Sequence, residues 1–264
     1  MRFGCVVEYD GAAFAGWQRQ PARRSVQAVL EEAAASVLGA DVRFVGAGRT
    51  DAGVHALGQV AHFDAAWSRG AEELRRAMNA GLDRDVAVVS LVPAPAGFHA
   101  RNSARARVYR YHVLCQPTRS PLFRRTTYHV AADLDLDAMV SAGDRLVGRH
   151  DFGAFGRPMW ADGSSVRRLD RLVVWREGPR ILFEFEADAF LRHQVRRMVG
   201  LLLDVGRGRW LPAVVDAILA REPLAPVPRR VPAQGLVLVA VRYPPAMELA
   251  AGPCAVPRRE GEPG

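Results

Sequence analysis

The order in which hydrophobic periods follow one another constrains this chain more than any single motif. Val26, Val29, Leu30, Ala33, Ala34, Val37 and Leu38 recur at the spacing of one helix face and predict a helix over 26–38. Ser25 stands where a cap is needed and Gly39 where a helix stops. Strands are predicted at 3–9, 42–45, 59–63 and 86–92, with a second helix at 71–82. This first part reads β-α-β-β-α-β, the split pattern of ferredoxin-like units. A similar order then recurs: strand 107–114, helix 136–147, a hairpin of 172–175 and 181–185, helices 190–205 and 211–221, and strand 236–241. The prediction is an α+β fold. Two ferredoxin-like lobes lie side by side, forming a mixed, mostly antiparallel sheet with helices on one face and a central cleft. The expected division is 1–97 and 98–245, with 246–264 a disordered tail rich in Pro, Gly and Ala. Four prolines between 222 and 235 predict an extended loop that exposes Arg229 and Arg230.

Composition excludes several classes. Of the 264 residues, 49% are hydrophobic, enough to build a core and too many for chain-wide disorder. No run approaches the roughly 18 apolar residues of a membrane span, and no signal peptide is visible, so a cytoplasmic location is expected. Cys5, Cys115 and Cys254 form no C-x-x-C pair, which argues against a disulfide framework or a zinc site. The net charge of +8 suits a polyanionic partner, although all 36 basic residues are arginine, a bias that coding composition also produces. Placement says more. Residues 86–132 contain no Asp or Glu, where average usage puts about five. The same stretch holds Arg101, Arg105, Arg107, Arg110, Arg119, Arg124 and Arg125, interleaved with Tyr109, Tyr111 and Tyr128. It reads as a track for phosphates with aromatics to stack on bases.

Chemistry concentrates in Gly46-Ala47-Gly48-Arg49-Thr50-Asp51-Ala52-Gly53-Val54-His55. It is neither a dinucleotide fingerprint nor a P-loop. It presents one carboxylate among small residues, and two readings stay open: a reactive aspartate, or an Asx-turn in which Asp51 caps backbone amides. His55 reads as a satisfied core histidine. In the predicted helix 190–205, Arg192 and Arg196 stand four apart, where like charges repel. Each then needs an anion, either a phosphate or a carboxylate such as Asp51.

Asp10-Gly11, Gly16-Trp17-Gln18-Arg19-Gln20, Ser25-Val26-Gln27, the Gly48-to-Ala56 loop and Gly58-Gln59-Val60 resemble the TruA family of tRNA pseudouridine synthases. The resemblance continues through Phe98-His99-Ala100-Arg101, Tyr109-Arg110-Tyr111, His150-Asp151-Phe152, residues 190–200 and Gly235-Leu236. It implies isomerisation of uridine to pseudouridine in tRNA, in the anticodon stem-loop (positions 38–40). It also implies that no cofactor is needed, and that the enzyme is a homodimer in which a tRNA touches both subunits. Asp51 resembles the catalytic aspartate, Tyr109 the residue that stacks on the target base, and Arg196 the basic partner of the aspartate. Arg49 matches the arginine that fills the space left by the flipped nucleotide, and Leu236 a residue lining the pocket. Arg19, Arg101, Arg105, Arg107 and Arg110 are candidates for RNA contact. Asn102, Asp188, Arg192 and Gln194 depart from the commoner pattern, which bears on details of RNA contact.

Asp51 must be ionised to act, and a neighbouring Arg196 offsets the cost of taking that charge out of water. Attack at C1′, addition at C6 and abstraction of the C2′ proton are all open to it. A glycosidase needs two carboxylates about 5–10 Å apart, and this loop offers one. A module that only binds RNA is the nearer rival, and it would tolerate loss of Asp51. A structural protein would not bind RNA at physiological salt.

Overall fold

The computed structural model describes residues 1–158 and 163–249. The chain is α+β, with mostly antiparallel strands and a parallel pair among the described residues, and it divides into two compact units. Of the described residues, the first comprises 1–50, 56–105 and 239–249; the second comprises 51–55, 106–158 and 163–238.

In the first unit β1 (Arg2–Tyr9) is flanked by β3 (His55–Asp64) and β4 (Val86–Pro93), both antiparallel to it. Helix α1 (Val26–Leu38) follows β1, the short β2 (Val45–Gly46) pairs with β3, and α2 (Ala71–Gly81) leads into β4. Phe3, Cys5, Val7 and Tyr9 are buried, as an alternating strand requires. Two details of α1 differ from expectation. Ser25 makes no side-chain cap, because the first helical amides are already taken: Val26 N donates to Gly16 O and Gln27 N to Trp17 O. The buried face includes Gln27 and Glu31 in place of Val29, Val37 and Leu38. Glu31 is affordable there because Gln27 Nε2, Phe44 N and Arg19 Nε all donate to its carboxylate. Gly39 ends the helix in the left-handed region at φ 66°. The strand expected at 42–45 shrinks to Val45–Gly46, and β3 begins earlier than expected.

In the second unit β5 (Ala106–Cys115) pairs antiparallel with β9 (Arg180–Ala187) and parallel with β6 (Tyr128–Val130). Next come α3 (Leu136–Asp144), β7 (Gly148–Asp151) and β8 (Val166–Glu177), which forms a hairpin with β9 turning at Gly178, φ 57°. β8 is longer than its apolar core suggests, because arginines and acids occupy its outer face. Helices α4 (Gln194–Gly206) and α5 (Val214–Leu219) precede β10 (Leu236–Arg242). The helix predicted over 190–205 starts four residues later. Arg192 lies before it, bridged to Arg157 in the manner of a strand, so Arg192 and Arg196 do not share a helix face. The spacing argument for their repulsion fails for that reason.

The units differ from the expected halves. Residues 98–105 stay with the first because Phe98 and Ala100 are fully buried there and Tyr243 Oη donates to Ala100 O at 2.6 Å. β10 is divided, Leu236–Leu238 in the second unit and the rest in the first. In the tail expected to be disordered, Leu249 packs into the cluster of Phe98, Ala100 and Tyr243. Residues 250–264 lie outside the described residues.

Candidate active site

The glycine-rich loop is fastened by backbone. A Cβ at Gly46 would lie 2.5 Å from the Trp17 indole, so only glycine fits at the end of β2. Ala47 N donates to Val60 O, Gln59 Nε2 to Gly48 O, and Trp17 N to Thr50 O. The Thr50 hydroxyl shares a 2.8 Å hydrogen bond with the Tyr9 phenol, which burial pushes up to about 12. The chain is thereby fixed through Thr50. Beyond it, Val54 N donates to Asp51 O, closing a turn with Gly53 at φ 78°, where an L side chain is strained. His55 is buried and its Nε2 lies 2.8 Å from Arg125 O, the satisfied histidine that the sequence suggests.

Asp51 sits at the start of that turn with 27% of its side chain exposed. Arg196 Nη1 donates to Oδ2 at 3.3 Å, and His193 Nε2 lies 3.4 Å from the same oxygen. Oδ1 has no partner among the described residues, and none of their backbone amides caps the carboxylate. The Asx-turn reading is therefore not the one the structure takes. Both contacts fall on one oxygen and leave the other for a substrate.

Arg196 is placed by α4 and by the proline-rich segment after α5. Its Nε donates to Val231 O at 2.8 Å while Val231 N donates to Arg196 O at 3.2 Å. The segment lies so close to α4 that a Cβ at Gly200 would stand 2.0 Å from Arg229 O. Tyr111 Oη donates to Pro232 O at 2.8 Å, and Gly235 leaves room for the Tyr111 ring. What the sequence presents as an extended loop is thus a strap hydrogen-bonded at Val231 and Pro232 and ion-paired from Arg229 to Asp204 at 3.2 Å, with Arg229 and Arg230 on its exposed side. Burial pushes the Arg196 guanidinium below its ordinary value, with Asp51 opposing. Burial likewise holds His193 below the usual imidazole range; Asp51 opposes this, and Arg230, Arg192 and Arg196 add to it.

The other candidates are distributed as follows. Tyr109, on β5, is 8% exposed, with its ring edge-on to Phe190 at 5.3 Å. Leu236 opens β10 and is buried. Arg49 is exposed two residues before Asp51, and a Cβ at neighbouring Gly48 would meet nothing within 4 Å. Arg19 is engaged by Glu31 at 2.7 Å and Glu32 at 3.6 Å, and Arg110 by Glu184 at 2.6 Å. Arg107 donates to Asp188 O at 2.8 Å, Arg101 is half-buried and Arg105 is exposed. Arg19 and Arg110 are candidates for RNA contact by sequence, yet each is ion-paired with a carboxylate of the fold. Nothing in the sequence spacing reveals that the chain brings His193 to Asp51, or that Arg230 lies on the His193 ring.

Among the described residues no second carboxylate touches Asp51, and no group of three or more His, Cys, Asp or Glu side chains is placed to hold a metal. A lone, partly exposed carboxylate with one oxygen anchored suits nucleophilic attack or proton abstraction. It does not suit paired acid–base hydrolysis.

A family model described as tRNA pseudouridine synthase matches residues 5–102 and 142–244. The gap contains Tyr109, but full-length relatives align across it. A tRNA pseudouridine synthase A of Acidiphilium cryptum is 47% identical over 92% of this chain and 96% of its own. One from Methylococcus capsulatus is 42% identical over 95% and 92%, and one from Frankia casuarinae 46% identical over 95% and 92%.

Proposed function

The chain belongs to the tRNA pseudouridine synthase family, and from that premise we propose that it converts uridine to pseudouridine within tRNA with Asp51 as the catalytic group. The observation that carries the assignment is the carboxylate itself, partly exposed at the end of a fixed loop, with Oδ2 held by Arg196 and Oδ1 left for the nucleoside.

The reaction breaks the N1–C1′ bond, turns the uracil and joins C5 to C1′. The C5 proton leaves and N1 gains one, so the product is an isomer and no electrons are exchanged with a cofactor. Attack at C1′, addition at C6 and removal of the 2′ proton each require a carboxylate oxygen within reach of the nucleoside, and Oδ1 of Asp51 is uncommitted among the described residues. A stacked base must first leave its helix, at a cost of a few kcal/mol. Tyr109 then holds the extruded ring by stacking, worth about 1–3 kcal/mol. Arg49 fills the vacated space and Leu236 lines the pocket. The targets are uridines 38–40 of the anticodon stem-loop, the working form is a cytoplasmic homodimer, and exposed arginines such as Arg105 meet the phosphates.

The test is release of tritium from tRNA labelled at uridine C5. Wild type releases label, whereas D51N remains folded, binds tRNA and is inert. Retention of most of the rate in D51N overturns the assignment. A monomer by light scattering that still modifies tRNA overturns the dimer.

A further inference from the structure

Asp51 Oδ2 has a second neighbour whose placement is unusual. His193 occupies the left-handed region at φ 69°, ψ 2°, a conformation that side chains other than glycine rarely adopt. Its surroundings pin it there. Buried Gln194 accepts from Leu191 N at 2.8 Å through Oε1, Gln194 N donates to Leu191 O, and Arg192 N donates to Arg157 O. Gly156 allows this approach, since a Cβ there would stand 2.6 Å from Arg192 O. The result is an imidazole with Nε2 at 3.4 Å from the carboxylate.

Arg230 lies on the ring as well, its Nη1 3.1 Å from Nε2 and 3.4 Å from Nδ1. Near both ring nitrogens at once, the guanidinium lies against the ring and not on the lone pair of either, so a proton added to the ring would put a second positive charge in contact with it. The charged groups acting on the ring are Asp51, Arg230, Arg192 and Arg196, one anion against three cations. We propose that His193 is a positioning residue for Asp51 and that Arg230 keeps it neutral. This rests on the reading that Asp51 carries the reaction. A neutral ring confines Oδ2 without adding a second full charge. As an imidazolium it would pair with Oδ2 beside Arg196 and draw electron density from Oδ1, the free oxygen.

Four variants and a direct titration test this. H193A lowers kcat on the order of ten- to a hundredfold with tRNA affinity unchanged, because the carboxylate loses its orientation. H193N tolerates the left-handed backbone, recovers most of that loss and removes the part of the acid limb due to the ring. R230M, at an exposed position, removes one cation and moves the acid limb to higher pH, while R230K leaves it at the wild-type position. The His193 ring protons, followed by NMR without RNA, titrate at higher pH in R230M than in wild type. An equal midpoint in the two proteins, or a wild-type acid limb in H193N, overturns the proposal. The ring titration needs no turnover, so it fails separately from the D51N test of Asp51.

Discussion

At the scale of single residues, availability of charge matters more than its count. Arg110 and Arg105 are two of seven arginines in a stretch without acids, and sequence treats them alike. The fold separates them: Arg110 is paired with Glu184 and lies over the Trp175 ring at 5.4 Å, whereas Arg105 is exposed with no ion-pair partner among the described residues. R105A is expected to reduce the slope of log Kd against log salt for tRNA by about one, and R110A to leave the slope unchanged. Equal effects in a salt titration would show that the pairing does not decide contact. Arg196 gives a second prediction. R196A strips a donor from Asp51 and from Val231 O together, and is expected to cost roughly 1–2 kcal/mol in urea unfolding as well as most of the activity. Unchanged stability would mean that the guanidinium is not anchored as described.

At the scale of elements, α4 and the strap from Arg229 to Pro232 act as one piece. Glycine at position 200 permits their contact, and the reciprocal bonds between Arg196 and Val231 lock it. G200A should displace the strap, destabilise the protein by about 1–3 kcal/mol and lower kcat although position 200 touches no substrate group. A G200A protein with wild-type kcat would uncouple the strap from Asp51. The extent of α4 was only partly legible. Residues 190–193 continue the apolar period well enough to look helical, but the left-handed turn at His193 and the side chain of Gln194 break it. A local period cannot report a turn stabilised by a contact with residue 157. By contrast α1 appears at its expected bounds, since its period and terminal glycine are both local.

For the molecule as a whole, buried neutral histidines set the response to acid. Burial holds His62 and His112 down to about 4, against 6.5 for an unperturbed ring. His62 Nδ1 accepts from Ala100 N, a bond that protonation destroys. The unfolded chain therefore binds more protons than the native one between those pH values. Stability is fully present above about 6.5 and declines toward about 4, by up to ~1.4 kcal/mol per pH unit for each histidine. Urea midpoints at pH 7 and 4.5 should reveal the decline, and H62Q combined with H112Q should flatten it. A wild-type protein equally stable at both pH values contradicts this.

The residues by themselves determined most of the order of strands and helices, though not the short β6 and β7, together with the loop that carries Asp51 and the family. Each is written in local periods or in a contiguous motif, and local signals need no partner to be read. Only the tertiary structure decided which arginines are paired with Glu31 and Glu184, that residues 51–55 leave one unit for the other, that His193 reaches the carboxylate and that Arg230 lies on the His193 ring. Those outcomes depend on distances between segments far apart in the chain, which are set when the whole core packs and not by any window of sequence.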